Sequence, residues 1–330
     1  MKLDDAQLRR SLRLIMLAWF FGATWMYIVV GATWTRYAKL LDMPLFGFGL
    51  ITAIPAAAVL LQIPVSLWLA KRGGHKSIFL VGGLIHRLSW IAMAVVPWIV
   101  PHAFCWILLL IFTMIMAAGG QASTLAWYLW MAEIVPARIR GRYFSRRNQM
   151  GQMVGLVVIL GVGLILDWAD PHGPALMLRT LSSAIAIAGF FGTVDILCFK
   201  NIPAPPAPAK PDAVPFWSIV RKIVTDCNFI RFSAYMATVT FAMGLIGQII
   251  WLYVFDILRA SNTEANVIMM VIPMVVIMIA SPVWGRLADR FGRKPVMFLA
   301  GILFVPGSLS WILMTRDFWA WPYLVILFSV

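Results

Sequence analysis

His86 and Arg87 are two ionisable residues inside a long apolar run of the sequence. The run predicts a membrane span near 78–100, and the two residues lie eight and nine positions into it. At 1.5 Å per helical residue, this places them roughly 12–13 Å deep, near the middle of a bilayer. An ionisable group at that depth indicates a function. Arg87 either faces a solute cavity, where it favours an anionic solute, or pairs with an acid or a carbonyl between helices.

Neutral polar and aromatic side chains recur on three other apolar runs, which are spans one, four and seven of those given below. In span one, Thr24, Tyr27, Gly31 and Trp34 share one face at helical spacing. Polar groups in lipid must find partners, so each is a candidate for a cavity or a helix contact. Gln121 lies in the small-residue stretch 117–123, for which helix packing is the rival interpretation. The predicted substrate cavity consists of Thr24, Tyr27, Trp34, His86, Arg87, Gln121, Thr124, Tyr128, Gln248 and Trp251.

The elements that position these residues must be membrane helices, because the composition is that of a membrane protein. Apolar residues make up 62% of the 330 and charged residues 12%, against roughly 45–50% and about 25% in soluble domains. The three cysteines cannot staple a chain of this size. The net charge of +14 does not indicate nucleic-acid binding, because the basic residues cluster in short segments between apolar runs.

The apolar runs predict nine complete spans and the start of a tenth near Phe318. The spans lie near 15–35, 48–70, 78–100, 104–132, 149–167, 176–199, 230–256, 265–284 and 296–314. Twenty Lys and Arg residues fall in the N-terminal tail and the segments on its side, including the loop predicted at 133–148, against four in the opposite loops. This bias predicts a multi-pass protein of the cell (cytoplasmic) membrane with a cytoplasmic N-terminus.

An internal repeat predicts two similar halves. At an offset of 218 residues, the segment 54–77 aligns without gaps with 272–295 and shares prolines and a basic turn with it. Six spans separate the copies, so they form parallel repeats. The predicted domains are a six-helix bundle at 1–199, a cytoplasmic linker with an interfacial helix at 200–228, and a second bundle at 229–330. By the same offset, roughly 87 further residues are expected to complete the second bundle, so the chain is interpreted as C-terminally truncated.

The loop 285-GRLADRFGRKP-295 resembles the signature loop of the major facilitator superfamily, G-x-L-x-D-R-x-G-R-K. The copy at 67–77 departs from it, with Leu67 and Lys71 in place of Gly and Asp. The segment 133-EIVPARIRGR-142 is similar to the acidic Pro…Arg-Gly segment of the same superfamily. The predicted gating and signature residues are Arg72, Gly74, Lys76, Glu133, Arg140, Gly141, Gly285, Asp289, Arg290, Gly292, Arg293 and Lys294. Glu133 either pairs with one of three basic residues, Arg72, Lys76 or Arg140, or lies solvated at the interface.

The resemblance implies an all-α polytopic fold of two parallel six-helix repeats, here with the second incomplete. It also implies a secondary active or facilitative transporter that works by alternating access. The amides and aromatic residues of the candidate cavity favour a small polar organic solute, and no catalytic residue, cofactor or metal is expected. A monomer in the lipid bilayer is expected, and the coupling ion, H⁺ or Na⁺, stays open. The acids Asp167, Asp256 and Asp317 fall near outer span ends, and Asp195 and Glu133 near inner ones, so no carboxylate is expected in the middle of a complete span. Either His86 replaces it as the proton carrier, or the missing spans supply it, or transport is uncoupled.

Three alternatives remain at the level of the sequence. The abundant Trp, Phe and Met residues also suit a multidrug exporter with an adaptable apolar cavity. A membrane-embedded enzyme that modifies lipid would need clustered His, Asp or Glu at one face, whereas the four histidines are scattered. A receptor with the same fold but no transport would be distinguished by a flux measurement.

Overall fold

The computed structural model describes residues 4–204, 218, 221 and 224–311, and in these residues the regular elements are all helices. The side chains of Gln248, Asp289 and Arg293 lie outside the described part, as do the predicted interfacial helix, apart from a few positions, and the start of span ten. Eight helical segments are long and apolar enough to cross a membrane, and they correspond to predicted spans one to eight. A shorter apolar helix over Lys294–Pro306 lies where span nine is predicted.

The first six spans have the following helix bounds. Span one is Asp5–Val29 followed by Ala32–Leu40, and span two is Leu45–Ala58, a 3₁₀ turn Val59–Leu61 and Gln62–Arg72. Spans three to six are His75–Ile99, His102–Ile134, Ala137–Ala169 and Pro174–Cys198. The later spans are Cys227–Asp256, then Asn262–Asn266 with a π-helical segment Val267–Val271 and Ile272–Phe291, and finally Arg293–Ser310.

Two predicted boundaries are wrong in detail. Span one is interrupted at Gly31, whose φ of 99° no residue with a Cβ adopts readily. A Cβ there would also lie 2.9 Å from Asn266 Oδ1. The segment predicted as a loop, 133–148, is mostly helix, because the helix of span five already begins at Ala137. Its arginines are good helix formers, so charge did not mark the end of the helix.

Successive spans end alternately at two faces of the molecule. The near face carries the N-terminus and the helix ends around 72–75, 134–137, 198–202 and 291–293. The far face carries those around 30–45, 99–102, 169–174 and 256–262. One cluster of buried side chains near the near face includes Ile15, Phe79 and Trp130, and a larger cluster extends to the far face.

Spans three and four cross with their backbones in contact at two glycines. A Cβ on Gly82 would lie 2.6 Å from the carbonyl oxygen of Gly119, and one on Gly119 would lie 2.7 Å from that of Gly82. Small residues at such crossings let membrane helices pack closely. This contact explains the small-residue stretch around Gln121 and leaves the amide itself free to point elsewhere.

Candidate functional site

A buried ion pair joins spans three and six. Arg87 Nη2 donates to Asp195 Oδ2 at 3.2 Å, and the carboxylate residue is only 6% exposed. The Arg87 guanidinium also lies 3.4 Å from the ring centroid of Trp25 in span one, and its Nη1 is 3.2 Å from His86 Nδ1. Of the two arrangements open for Arg87, the structure has the one in which it pairs with an acid between helices.

Two glycines provide the space for this pair. A Cβ on Gly22 would lie 2.7 Å from Asp195 Oδ2, and one on Gly192 would lie 2.5 Å from Arg87 Cδ. Removing one partner of a buried ion pair costs about 3–5 kcal/mol, because the other charge is left uncompensated. Asp195 was assigned to a helix end from the sequence; its burial was missed. The available signal was Arg87 itself, since an arginine inside a span needs an acid.

A second arginine, Arg147, also turns into the bundle. Its Cζ lies 3.9 Å from the ring centroid of Trp19 in span one and 4.9 Å from that of Trp127 in span four. Its Nε is enclosed and has no hydrogen-bond partner among the described residues. The sequence count treated Arg147 as one more basic loop residue. The spacing Tyr143, Arg147, Gly151 and Gly155, four residues apart, was the signal that it lies on the buried face of a helix.

The predicted cavity residues do not all share one surface. Thr124 is exposed and Tyr128 is 63% exposed, whereas Trp34 and Trp251 are enclosed in the core. Thr24 donates to the carbonyl of Phe20 in its own helix, and Tyr27 packs against Gly155. His86 contacts Trp25 edge-on, with ring centroids 5.2 Å apart.

Gln121 forms hydrogen bonds with residues of span two that the sequence did not suggest. Gln62 Nε2 donates to Gln121 Oε1 at 2.7 Å, and Gln121 Nε2 donates to the carbonyl of Pro55 at 3.4 Å. Both partners lie in span two, which is interrupted by the 3₁₀ turn Val59–Leu61. There the backbone N–H of Val59 donates to the carbonyls of Ala56 and Ala57, so the carbonyl of Pro55 is left without its helical donor. The two amides therefore join spans two and four by hydrogen bonds.

The basic residues of the near face have other partners than expected. Glu133 Oε2 lies 4.0 Å from His75 Nδ1 and pairs with none of the three basic residues considered from the sequence. The reason is that two of them bind carbonyl groups at helix ends. Lys76 Nζ donates to the carbonyls of Lys200 and Ile202, and Arg140 donates to carbonyls in the last turn of span four.

The remaining gating positions lie at turns and exposed helix ends. Arg72 lies over the Trp68 ring and Arg290 over the Phe291 ring, with Cζ at 5.9 and 5.2 Å from the centroids. Gly74 and Gly292 both have a φ of 85° and begin the helices of spans three and nine. The other described members are exposed: Gly141, Gly285 and Lys294.

Polar groups at the far face join the first six spans to the later ones. Asp167, at the end of span five, accepts hydrogen bonds from the backbone N–H groups of Asn262 and Thr263 at 2.6 and 3.0 Å, and from Asn262 Nδ2 at 2.9 Å. The carboxylate thus binds the N-terminus of the first helix of span eight, where unpaired N–H groups favour an anion. Asn266 accepts from the backbone N–H of Ala32 at 3.2 Å and donates to the carbonyl of Ile159 at 3.1 Å.

Two basic residues from the break in span one complete this connection. Arg36 Nε donates to Asn262 Oδ1 at 2.9 Å, and Lys39 forms an ion pair with Asp256 at the end of span seven. Arg36 also lies 3.5 Å from Asp170. We call these joining residues the far clasp: Arg36, Lys39, Asp167, Asp256, Asn262, Thr263 and Asn266. Sequence reasoning placed the acids at the far ends of spans but missed the two asparagines, four residues apart, that meet them.

An open depression of about 630 Å³ lies along the exposed side of the first helix at the near face. Its lining includes three arginines together with small and apolar side chains: Ala6, Arg9, Arg10, Arg13, Leu14 and Leu17. No carboxylate is among these lining residues. An array of cations on low-dielectric walls raises the local concentration of anions.

Comparison with known proteins gives a family model and solved structures that match nearly the whole chain. The family model described as Major Facilitator Superfamily matches residues 14–330. The solved structure of a D-xylose-proton symporter has a TM-score of 0.59 and 17% identity, and the match covers 96% of this chain and 78% of that chain. The xylose transporter XylE from E. coli, in a partially occluded inward-open conformation, has a TM-score of 0.60 and 16% identity, with 98% and 83% covered. Identities this low show the fold alone.

A curated relative matches only a short segment. The efflux pump dotC of Dothistroma septosporum is 60% identical over 30 residues. That segment is 9% of this chain and 5% of the pump, so the chain spans a small fraction of this relative's length.

Proposed function

We propose, since this chain belongs to the Major Facilitator Superfamily, that it is a secondary transporter that moves a small polar organic solute by alternating access. The family and the all-α, multi-pass membrane fold predicted from the sequence are confirmed. The observation that carries the transport proposal is the far clasp, which connects the first six spans to the later ones at one face. A carrier of this type needs one face closed while the other is accessible.

The main helix packing between the two sets of spans supports this arrangement. Span seven packs against the segments 32–40 and 45–58, and the start of span eight packs against the helix 137–169. Among the described residues, the near-face segments 62–72 and 272–291 take no part in these principal contacts. The two sets of spans are therefore held together towards the far face, as in an inward-facing carrier.

The polar contacts of the far clasp are individually weak. A part-exposed ion pair contributes about 0–1 kcal/mol, and a carboxylate at a helix N-terminus about 0.5–2 kcal/mol. Apolar packing adds to them at the same face, because Trp251, Val254 and Phe255 of span seven belong to the same buried cluster as Trp34 and Tyr37 of span one.

The finer parts of the proposal follow from the sequence. We assign the near face to the cytoplasm and the protein to the cell membrane, because the near face carries most of the basic residues. The division into bundles at 1–199 and 229–330 is part of the same proposal, as is action as a monomer without a cofactor. The coupling ion is H⁺ or Na⁺, and the buried Asp195 joins His86 as a candidate proton carrier.

Uptake into proteoliposomes tests the transport proposal. The full chain is reconstituted, and radiolabelled polar solutes are offered in pairs of one neutral and one anionic compound. Their accumulation is compared with that in protein-free liposomes. At least one solute is expected to enter faster with the protein, and excess unlabelled solute should compete. If no solute enters faster, the transport proposal is wrong. If only lipophilic cations are moved, the protein is an exporter of such compounds and the solute class is wrong.

A further inference from the structure

The side chain of Arg147 lies against two indole rings, and one of its N–H groups has no hydrogen-bond partner among the described residues. The guanidinium lies against Trp19 of span one and Trp127 of span four, at 3.9 and 4.9 Å from their ring centroids. A guanidinium has five N–H donors in one plane, more than two indole rings can accept from. Within the described part of the chain, the enclosed Nε donates to no acceptor.

The charges in this part of the bundle do not balance. Arg87 and Arg147 contribute two positive charges, and Asp195 contributes one negative charge that is hydrogen-bonded to Arg87. Asp195, Tyr143 and Tyr128 are the groups close enough to act electrostatically on Arg147. The ion pair of Arg87 thus leaves Arg147 as the excess cation, on a side chain that is partly buried and whose Nε is enclosed. An anion bound to Arg147 would balance this charge.

We propose that Arg147, which lies against Trp19 and Trp127, binds the anionic group, a carboxylate or a phosphate, of the transported solute. A guanidinium binds either group through two parallel hydrogen bonds. The exposed Tyr128, beside Arg147, offers an aromatic surface for the apolar body of the solute. This inference rests on the proposed transport function and narrows its solute class.

The arginine-lined depression at the near face is not part of this site. Its lining residues, from Ala6 to Leu17, lie on the exposed face of the first helix, and helical spacing turns Trp19 to the opposite side. An anionic lipid headgroup has the same chemistry as a free anion, but Arg147 lies between spans one, four and five, so the bound group is assigned to a free solute.

Thermal unfolding of the purified full chain in dodecyl maltoside micelles tests the site. The probes are D-glucuronate, D-glucose 6-phosphate, lactate and citrate, each compared with a neutral analogue, and D-glucose is the analogue of the first two. At least one anion is expected to raise the midpoint of unfolding where its neutral analogue does not. Arg147→Gln should weaken the apparent affinity for that anion at least tenfold, and Arg147→Lys should weaken it less, because lysine keeps the charge but loses the planar fork.

Arg146→Gln is the matched control, because Arg146 is the exposed neighbour of Arg147 on the same helix. It removes the same charge and should leave the affinity within twofold of the parent. Equal losses in the two glutamine variants would overturn the proposal, as would a panel in which no anion exceeds its neutral analogue. Stabilisation by phosphatidylglycerol and by no free anion would overturn it in favour of a lipid site.

The anion site and the transport proposal can be refuted independently of each other. Anion binding that Arg147→Gln abolishes, without uptake in proteoliposomes, keeps the site and refutes transport. Uptake of a neutral solute, without anion binding, keeps transport and refutes the anion site.

Discussion

Replacing Asp167 with alanine removes the acceptor of three hydrogen bonds in the far clasp. A hydrogen bond to a charged group contributes roughly 1.5–3 kcal/mol when it is buried. Asp167 is only half-buried, so about 2 kcal/mol for the three bonds together is a reasonable estimate, in line with the loss of a helix N-cap. Since 1.4 kcal/mol is a tenfold change in an equilibrium constant, the far face should open about 30 times more often.

A cysteine at Thr263 reports this opening. Thr263 lies between the two sets of spans, where a Cβ on Gly163 would be 3.0 Å from its Oγ1. In full-length protein with Cys105, Cys198 and Cys227 changed to serine, Thr263→Cys should react slowly with a membrane-impermeant maleimide. Adding Asp167→Ala should increase that rate about 30-fold, and Asp167→Asn should increase it less, because the amide retains one acceptor.

Two controls make this experiment decisive. Arg259→Cys lies exposed on the far face and should react rapidly in every background, which shows that the protein is folded and accessible. Asp42→Asn removes a carboxylate at the same face that is paired with His102, outside the far clasp, and should change the Thr263→Cys rate less than twofold. A rate within twofold of the parent in Asp167→Ala would refute the assignment of Asp167 to the far clasp.

Two further predictions concern the buried ion pair. Arg87→Met and Asp195→Leu should each destabilise the protein by about 3–5 kcal/mol, and the double variant should recover much of that loss; simple addition of the two effects in thermal unfolding would contradict the pairing. Gly22→Ala places a methyl group 2.7 Å from Asp195 Oδ2 and should lower the free energy of unfolding by about 1–3 kcal/mol. At Gly161 an added Cβ meets nothing within 4 Å, so Gly161→Ala should leave the unfolding midpoint unchanged or slightly raised.

The sequence predicted the number and order of the first eight spans because their signal is local. A run of about 20 apolar residues is enough to indicate a membrane helix, and the repeat and its signature loop indicate the family. The contacts of the candidate site are not local. Arg87 and Asp195 are 108 positions apart, and Asn262 and Asp167 are 95 apart. Hydropathy indicates that a polar residue in a span needs a partner, but only the fold shows which residue is the partner.

Arg146 and Arg147 show why a count of basic residues could not find the second arginine of the site. Both contribute equally to the charge bias that orients the protein. Successive helical residues are turned by about 100°, however, so only one of them shares the face of Tyr143, Gly151 and Gly155. That face packs against span one, where Tyr143 donates to the carbonyl of Leu12 and a Cβ on Gly151 would meet the indole of Trp19. The position of Arg147 in the bundle thus follows from helical spacing, whereas its positive charge alone predicted a solvated residue at the membrane surface.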